Sequence, residues 1–391
     1  MVPLRKNKHM KKTRFFVTFI FILLLIFSSV NAVELNTYGI KLVKDFELDL
    51  DSNMLWTSFT APISSLSESD QIILACYDGY KKAKEKNAEF SINYYRPKAF
   101  EIKNQQAKLI WTGPKLNELE NAMAYGDLFG DNTKAFYAIY KNRIEQYKYN
   151  GKKFVKQEFK LPVLYTPKQA KIGDIDNDGK NELVIFVSDK EGISAASSEK
   201  LSLIIYKPNE KGELTVAYFG TFSYKGGQNS DSLVCIDDIY NTGQNKLVIR
   251  MGKADIAPSE YKILSFQSNK LYKERVLDQS NNITLLDLED TAHNPEWQNK
   301  IKNDFSIIKL NGKNYLLAPM LPQTANPSNT MAVLSLTDKK LIIYAEIRLG
   351  SSSGALNILP LNLSGKSANS NLLYLNDSGK AEVYSIVNLE E

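Results

Sequence analysis

The chain has 391 residues, of which 49 are Lys or Arg and 44 are Asp or Glu, so its formal net charge is +5. Six of the basic residues and none of the acidic ones lie in the first 32 positions, which leaves 43 basic and 44 acidic residues in the other 359. Nucleic-acid binding needs a positive surface, so this balance excludes nucleic acid as an expected partner. A chain of this length can bury a large apolar core.

Residues 1–32 are predicted to be a secretory signal peptide. A basic region precedes an apolar run of 13 residues, Phe15 to Phe27, and Val30 to Ala32 then supplies a small-residue cleavage site. The apolar run is shorter than the roughly 20 residues that span a bilayer. We therefore expect a secreted protein, or one of the periplasm or cell envelope, with no stable membrane span after the leader is removed. Met10 is a second candidate for the initiator.

The remaining residues, 33–391, are predicted to form one all-β domain. Ile40 to Leu48 reads as a strand that precedes the first repeat and has no local partner. Six units of apolar strand, polar turn and apolar strand follow, with starts near residues 63, 124, 171, 234, 305 and 356. Outer hairpins with alternating apolar residues lie between them, as in Arg143 to Phe159 and Leu201 to Phe219.

Four strands per repeat predict a β-propeller of six blades. The extra apolar segment Ile283 to Leu288 keeps seven blades open, and a helical pattern is confined to Asn294 to Lys302. The last repeat lacks a fourth strand, because the chain ends soon after Lys380 to Val387. We expect the strand at 40–48 to complete this blade, which closes the ring and covers two sheet edges.

The loop from Asp174 to Glu182 is the most informative segment of the chain. Asp174, Asp176 and Asp178 alternate, Gly179 follows, and Glu182 opens an apolar strand. A hard cation such as Ca²⁺ takes about six to eight oxygens, and carboxylates on a tightly turning loop supply them. An EF-hand has its Glu at position twelve and flanking helices, so this pattern indicates calcium in a β-hairpin instead. A polar turn that binds no metal is the alternative.

The pattern Gly-Asp-x-Asp-x-Asp-Gly-x-x-Glu before an apolar strand resembles the FG-GAP/VCBS repeat of integrin-α-type β-propellers. The resemblance implies that Ca²⁺ is held in the turn between the two innermost strands of a blade. The ligands that it implies are the side chains of Asp174, Asp176, Asp178 and Glu182 and the backbone carbonyl of Lys180. It also implies a role in adhesion or recognition.

Two neighbouring repeats contain degenerate copies of this loop, which begin at Asp127 and Asp238. Both have lost chelating side chains, which are replaced by Phe129 and Ala135 in one copy and by Tyr240 and Lys246 in the other. We expect neither copy to bind metal. Cys76 and Cys235 follow apolar residues in different repeats, so they are predicted to be two separate buried thiols rather than a disulfide.

No catalytic residue is predicted. The single His beyond the leader, His293, lies in a polar segment and is interpreted as an exposed loop residue. Ser352 stands in a Gly-x-Ser-x-Gly match, but that motif needs a strand-to-helix elbow and a His partner, whereas here a Ser/Gly linker joins two β repeats. We therefore expect no hydrolase chemistry at Ser352.

Three functions stay open at this point. The favoured one is a calcium-stabilised, non-catalytic binding or scaffold module for a protein or glycan partner. The others are a secreted enzyme that acts on polysaccharide through acidic and Tyr residues in the propeller channel, and a structural component of the cell envelope. Trp56, Trp111 and Trp297 could stack on sugars, but aromatic residues of a propeller mostly fill the space between blades.

Overall fold

The computed structural model describes residues 40–50, 54–61, 71–85, 88–117, 120–162, 165–188, 201–222, 232–251, 260–278, 306–310, 312–319, 330–336, 341–348, 357–361, 371–375 and 380–388. All regular structure in these ranges is β, in 25 strands. The prediction of an all-β protein is confirmed for this part of the chain. The strands form six antiparallel sheets, which we number in the order of the chain.

The strand bounds are as follows. Strand β1 spans Ile40–Asp49. Sheet 1 contains β2 (Met54–Ala61), β3 (Gln71–Glu85), β4 (Ala88–Lys103) and β5 (Gln106–Thr112), with the short β6 (Leu116–Asn117) beside β4. Sheet 2 contains β7 (Ala122–Gly126), β8 (Ala135–Ile139), β9 (Arg143–Tyr149) and β10 (Phe154–Lys160). Sheet 3 contains β11 (Thr166–Gly173), β12 (Glu182–Ser188), β13 (Leu201–Pro208) and β14 (Leu214–Phe222).

The other three sheets repeat this plan. Sheet 4 contains β15 (Ser232–Asp237), β16 (Lys246–Met251), β17 (Glu260–Gln267) and β18 (Lys270–Asp278). Sheet 5 contains β19 (Ser306–Leu310), β20 (Lys313–Pro319), β21 (Thr330–Leu336) and β22 (Leu341–Arg348). Sheet 6 contains β23 (Asn357–Leu361), β24 (Asn371–Leu375) and β25 (Lys380–Asn388), and β1 is its fourth strand.

The pairing of β1 with β25 joins the two ends of the described chain. The strands are antiparallel, with Ile40 opposite Asn388 and Asp49 opposite Lys380. The predicted pairing of residues 40–48 with residues 380–387 is confirmed. Because β1 occupies the outer side of β25, the backbone groups on that edge are hydrogen-bonded rather than left open to other chains.

The first repeat begins earlier than predicted. Its innermost strand is β2, which ends at Ala61 opposite Gln71 of β3, so the predicted start near residue 63 was wrong. Pro62 comes directly after β2, and a proline has no backbone N–H to give to a strand partner. The hairpins predicted from residues 124, 171, 234, 305 and 356 all occur, and so do the two outer hairpins of sheets 2 and 3.

Apolar side chains from successive sheets pack against each other. One cluster joins Tyr137 of sheet 2 to Ile185 of sheet 3, and another joins Phe186 of sheet 3 to Leu247 of sheet 4. Sheets 4 and 5 meet through β15 and β19, and sheets 5 and 6 through β19 and β23. Leu373 of sheet 6 shares a cluster with Phe100 of sheet 1, so each sheet contacts the next and the last contacts the first.

The contact between sheets 1 and 2 contains one of the three tryptophans considered above, Trp111. Trp111 of β5 stacks on Phe154 with a ring-centre distance of 4.4 Å, and it lies 5.4 Å from Phe136 and 5.3 Å from Tyr147. Its neighbours Phe136 and Ala99 are fully buried. Trp111 therefore fills the space between two sheets, as the aromatic residues of stacked sheets are expected to do.

Burial decreases from the inner strands to the outer ones. All five residues of β8 are buried, because sheets lie on both of its faces and its sequence is a continuous apolar run. The outermost strand of the same sheet, β10, is mostly exposed and contains Lys156, Glu158 and Lys160. Charged side chains on an edge strand discourage pairing with a second chain.

The two cysteines belong to different sheets, as predicted. Cys76 is buried on β3 of sheet 1, as predicted, whereas Cys235 is only half-buried on β15 of sheet 4, so the prediction of a buried thiol was wrong at that position.

Candidate metal centre

Three equivalent loops join the first and second strands of sheets 2, 3 and 4. We call residues 127–134 the sheet-2 loop, residues 174–181 the sheet-3 loop and residues 238–245 the sheet-4 loop. Each begins with an Asp whose two carboxylate oxygens accept hydrogen bonds from the backbone N–H groups four and five residues later. These donors are Asp131 and Asn132 for Asp127, Asp178 and Gly179 for Asp174, and Thr242 and Gly243 for Asp238.

The backbone turns in the same way in all three loops. The fourth and sixth residues have positive φ, which are Gly130 and Asn132, Asn177 and Gly179, and Asn241 and Gly243. Gly and Asn are the residues that adopt this left-handed conformation at least cost. The loops therefore share one conformation although their side chains differ, which supports the sequence alignment of the three repeats.

Only the sheet-3 loop gathers several acidic groups. Asp174, Asp176 and Glu182 each place one carboxylate oxygen so that the three oxygens lie within 4.8 Å of one another. Among the described residues, no other group of three His, Cys, Asp or Glu side chains meets this condition. Glu182 is the first residue of β12, only 1% exposed, and its Oε2 accepts the N–H of Ile175 at 2.9 Å.

A lysine from the third strand reaches into this acidic group. Lys207 lies on β13, and its Nζ forms an ion pair with Oδ2 of Asp176. The same Nζ lies 3.2 Å from Oδ2 of Asp178 and 3.2 Å from Oε1 of Glu182. Asp178 thus belongs to the same cluster through Lys207. The sequence analysis did not identify Lys207, which lies 25 residues after Glu182.

Burial and the charges of neighbouring groups have opposing effects on the pKa values of Glu182, Lys207 and Asp178. Burial raises the pKa of Glu182 to about 7, and the negative charge of Asp176 adds to this rise, while the N–H of Ile175 and the ammonium of Lys207 oppose it. Burial would lower the pKa of Lys207, but hydrogen bonds and charges from its three carboxylate partners raise it. Burial would raise the pKa of Asp178, yet the N–H of Lys180 and the ammonium of Lys207 lower it.

The donor atoms fit a hard divalent cation. They are all carboxylate oxygens, the donors that Ca²⁺, Mg²⁺ and Mn²⁺ prefer over softer metals. Within the part of the chain that the structure describes, Oδ1 of Asp176 is buried and has no hydrogen-bond partner, and a buried polar atom normally has one. The structure brings together three of the four predicted side-chain ligands, Asp174, Asp176 and Glu182, whereas Asp178 is linked to them only through Lys207. The N–H of Lys180 donates to Asp178 at 2.9 Å, while the ligand role of its carbonyl stays a prediction.

The two degenerate copies, the sheet-2 and sheet-4 loops, have fewer acidic groups than the sheet-3 loop. In the sheet-2 loop, Phe129 stacks on Phe159 with 4.6 Å between the ring centres, and Asp131 forms an ion pair with Lys148 of β9. In the sheet-4 loop, the residue that corresponds to Asp131 is Thr242. Neither loop contains a group of three close acidic oxygens. That neither copy binds metal stays a prediction.

Several predictions concern residues outside those described. These are the leader at 1–32, the segments Ile283–Leu288 and Asn294–Lys302, and the residues His293, Trp297 and Ser352. Over the ranges that are described, no helix is long and apolar enough to cross a membrane.

A comparison of the chain with models of protein families gives no match, and a comparison with curated proteins gives no match either. The resemblance to the FG-GAP/VCBS repeat accordingly rests on the residues of the sheet-3 loop and stays a prediction.

Proposed function

We propose that the six sheets are the blades of one closed β-propeller, and that the protein is a secreted, calcium-stabilised, non-catalytic binding or scaffold module. The sequential contacts between sheets, and the contact of sheet 6 with sheet 1, support a ring. In this arrangement β1 closes the ring by completing the last blade with residues from the beginning of the chain. Such closure protects the sheet edges of a propeller.

The observation that carries the calcium part of the proposal is the excess of acidic charge in the sheet-3 loop. Three carboxylates contact the ammonium group of Lys207 there and Asp174 adds a fourth carboxylate beside two of them, while Oδ1 of Asp176 is a buried acceptor without a donor in the described part of the chain. The oxygens of Asp174, Asp176 and Glu182 lie within 4.8 Å of one another, and carboxylates this close repel each other unless a cation compensates their charge. When bound, Ca²⁺ would supply that charge, and Asp174, Asp176, Asp178 and Glu182 would hold it.

The proposed contact surface for a protein or glycan partner is the end of the β3–β4 hairpin. These strands have 15 and 16 residues, and β2 pairs with β3 only between Gln71 and Cys76. The paired segments Tyr80–Glu85 and Ala88–Asn93 therefore continue past the sheet as a two-stranded extension. Tyr80 is 58% exposed, and exposed aromatic side chains on a rigid support are typical of recognition surfaces.

Ion pairs with Asp78 stabilise the base of this hairpin. Nε of Arg96 donates to Asp78 at 2.9 Å, and Nζ of Lys115 lies 3.4 Å from the same carboxylate. Gly79, with φ of +100°, lies next to the register shift between Tyr77 and Tyr80. Because β3 runs from Gln71, opposite the end of β2, to Glu85, the paired ends of β3 and β4 lie far from the end of sheet 1 at which β2 meets β3. The proposed partner surface is thus separate from the end that carries the calcium loop.

The calcium part is tested by thermal unfolding of the purified protein with saturating Ca²⁺ and with EGTA. An ion that binds only the folded state adds about 2.7 kcal/mol at a hundredfold excess over its Kd, so chelation should lower the Tm by a few degrees. Asp176→Ala should abolish this difference, whereas Asp131→Ala in the sheet-2 loop should keep it. Identical melting curves with and without EGTA for the wild type would remove calcium from the proposal.

The binding part is tested by a pull-down of envelope extract with the wild type and with a variant in which a two-residue turn joins Tyr80 to Asn93. The wild type should recover a specific protein or glycan, and the shortened variant should not. The two proteins should have the same Tm, which controls for damage to sheet 1. Equal recovery by both would show that the partner binds elsewhere on the protein.

A further inference from the structure

Lys207 has an equivalent in sheet 2. On β13, Tyr206 lies opposite Leu183 and Lys207 follows it. On β9, Tyr147 lies opposite Phe136 and Lys148 follows it. Leu183 and Phe136 are the second residues of the strands that come after the two loops. The two lysines therefore occupy the same position in their sheets.

Both lysines contact the fifth residue of their loop. Nζ of Lys148 forms an ion pair with Asp131, and Nζ of Lys207 lies 3.2 Å from Asp178. In sheet 4 both partners are absent together, because the fifth loop residue is Thr242 and the position after Leu264 is Ser265. The lysine thus occurs where this loop residue is acidic, which indicates that its role is to neutralise the loop.

The sheet-3 loop differs from the sheet-2 loop by two additional acidic groups. Asp176 and Glu182 stand where sheet 2 has Phe129 and Ala135, and the ammonium of Lys207 contacts both of them as well as Asp178. Lys207 therefore contacts three of the four carboxylates that the proposed metal site needs. A divalent ion at these carboxylates and the ammonium of Lys207 would repel each other at short range.

We propose that Lys207 is a tethered counter-cation that competes with the divalent ion for Asp176, Asp178 and Glu182. It compensates the loop when no ion is bound, and it lowers the affinity of the loop because its ammonium must leave these carboxylates when the ion binds. The proposal rests on the calcium site of the proposed function. It assigns to Lys148 a different role, that of a permanent partner of Asp131.

The test is a calorimetric titration of CaCl₂ into the purified wild type, Lys207→Met and the matched control Lys148→Met. Lys207→Met should bind Ca²⁺ at least about tenfold more tightly than the wild type, because a competing charge has been removed. Lys148→Met should leave the affinity unchanged. Lys207→Arg keeps the positive charge and should also stay near the wild-type affinity, which separates the effect of charge from that of repacking.

Thermal unfolding of the same proteins gives a second measurement. In EGTA, Lys207→Met should have a lower Tm than the wild type, because the carboxylates then lack any counter-ion. Saturating Ca²⁺ should remove this deficit. Lys148→Met should have the same deficit in EGTA and in Ca²⁺.

The outcomes separate this proposal from the proposed calcium function. If the wild type binds Ca²⁺ and Lys207→Met binds it equally or more weakly, Lys207 does not compete and only this proposal fails. If Lys207→Met alone binds Ca²⁺, Lys207 competes so strongly that the native site is not a calcium site. If neither protein binds the ion, both proposals fail.

Discussion

Glycines at the ends of two innermost strands set how closely successive sheets approach. A Cβ atom on Gly126 would lie 2.7 Å from Cγ2 of Ile172, and one on Gly173 would lie 2.8 Å from Cγ2 of Ile236. Each Ile belongs to the next sheet along the chain. The same contact therefore recurs at two successive interfaces, directly before the loops that begin at Asp127 and Asp174.

Gly173→Ala should destabilise the protein by about 1–3 kcal/mol, because an added methyl group in a packed interface forces its neighbours to move. Ile236→Ala removes the atom that the methyl group would meet. The double variant should then cost less than the sum of the two single variants, since residues in contact are not additive. Denaturant unfolding of all four proteins gives the coupling energy, and strict additivity would contradict this account of the glycine.

Glu145 is a buried carboxylate with several donors. It is 4% exposed on β9; its Oε1 accepts from Lys156 at 2.7 Å and from Arg143 at 3.2 Å, and its Oε2 accepts from the hydroxyl of Tyr147 at 2.7 Å. Sheet 6 has a similar arrangement around Glu382, with Lys44 at 2.6 Å and a hydrogen bond from Tyr384. Burial would raise the pKa of Glu145, but Lys156, Tyr147 and Arg143 together lower it.

A lowered pKa in the folded state predicts how stability depends on pH. The contribution of Glu145 should be complete above its ordinary pKa of about 4.5 and should be lost as the pH falls through the lower value of the folded protein. Glu145→Gln should destabilise the protein by about 1.5–3 kcal/mol at pH 7 and make the acid-side loss less steep. The free energy of unfolding, measured at several pH values between 7 and 3 for both proteins, tests this dependence. Glu158→Gln, at an exposed carboxylate, should change the curve little, and a Glu145→Gln curve parallel to the wild type would contradict the assignment.

At the scale of residues, the sequence predicted the acidic loop but not its lysine. Asp174, Asp176, Asp178 and Glu182 are close in the chain, so their spacing alone indicates that their oxygens converge. Lys207 comes from another strand, and its approach depends on the register of β13 against β12. The Tyr-Lys pair that occurs in both β9 and β13 was the available signal, and it becomes meaningful only once the two strands are aligned by structure.

Asparagine side chains connect the loops of successive sheets. The side chains of Asn181, Asn245 and Asn314 each donate to the carbonyl oxygen of the first Asp of the preceding loop, at 2.6, 2.8 and 3.0 Å. The Asn at the fourth loop position adds two more bonds, which join Asn177 to the backbone of Asn245 and Asn241 to the backbone of Asn314. These bonds fix each loop relative to the next sheet, so the sheet-3 loop is held from both sides.

Asn177→Gly should lower stability by about 1–2 kcal/mol, because it removes two hydrogen bonds to Asn245 while glycine keeps the left-handed backbone. Asn177→Ala should cost about 1 kcal/mol more, since alanine is strained at a φ of +61°. Denaturant unfolding of the two variants separates the side-chain bonds from the backbone conformation. A Gly variant as stable as the wild type would mean that these bonds do not stabilise the contact between sheets 3 and 4.

The hairpins of the repeats could be predicted from the sequence, whereas the bonds between them could not. Alternating apolar residues and Asp- or Gly-rich turns are local signals, and they placed the hairpins of sheets 2 to 6 correctly. The asparagine bonds join residues that are 54 to 76 positions apart. An asparagine at the end of a turn is also an ordinary turn residue, so the recurrence at 181 and 245, directly before strands, and at 314, the second residue of β20, is informative only when the sheets are known to be neighbours.

For the whole molecule, the sequence predicted the pairing of β1 with β25 because two facts agreed. Ile40 to Leu48 had no local partner, and the last repeat lacked one strand, so pairing them satisfied both edges. The start of sheet 1 was misplaced because the pattern at Ile63 to Tyr77 resembled a hairpin of its own. The structure uses Met54–Ala61 instead, and Ala61 meets Gln71 across a connection that the sequence pattern treated as part of the strands.

The pairing of β1 with β25 predicts that removal of β1 should weaken the whole protein rather than one end of it. Without β1, the edge of β25 is exposed, and the cluster that contains Leu48, Leu50 and Phe100 loses the side chains contributed by the beginning of the chain. Burial of one Leu stabilises a protein by about 1.5–3 kcal/mol. A chain that begins at residue 51 should therefore melt many degrees below one that begins at residue 33.

The exposed edge gives a second readout, because an unpaired strand edge recruits other chains. The shortened protein should elute as larger species in size-exclusion chromatography, and a synthetic peptide of residues 38–50 should restore both the monomer and part of the lost Tm by pairing with β25. The same peptide with Val43, which is 41% exposed, replaced by Thr should act equally well, whereas replacement of the buried Leu48 by Asp should abolish the rescue. If the shortened chain has the Tm of the longer one, β1 does not close the structure, and the proposed propeller would need another means of joining sheet 6 to sheet 1.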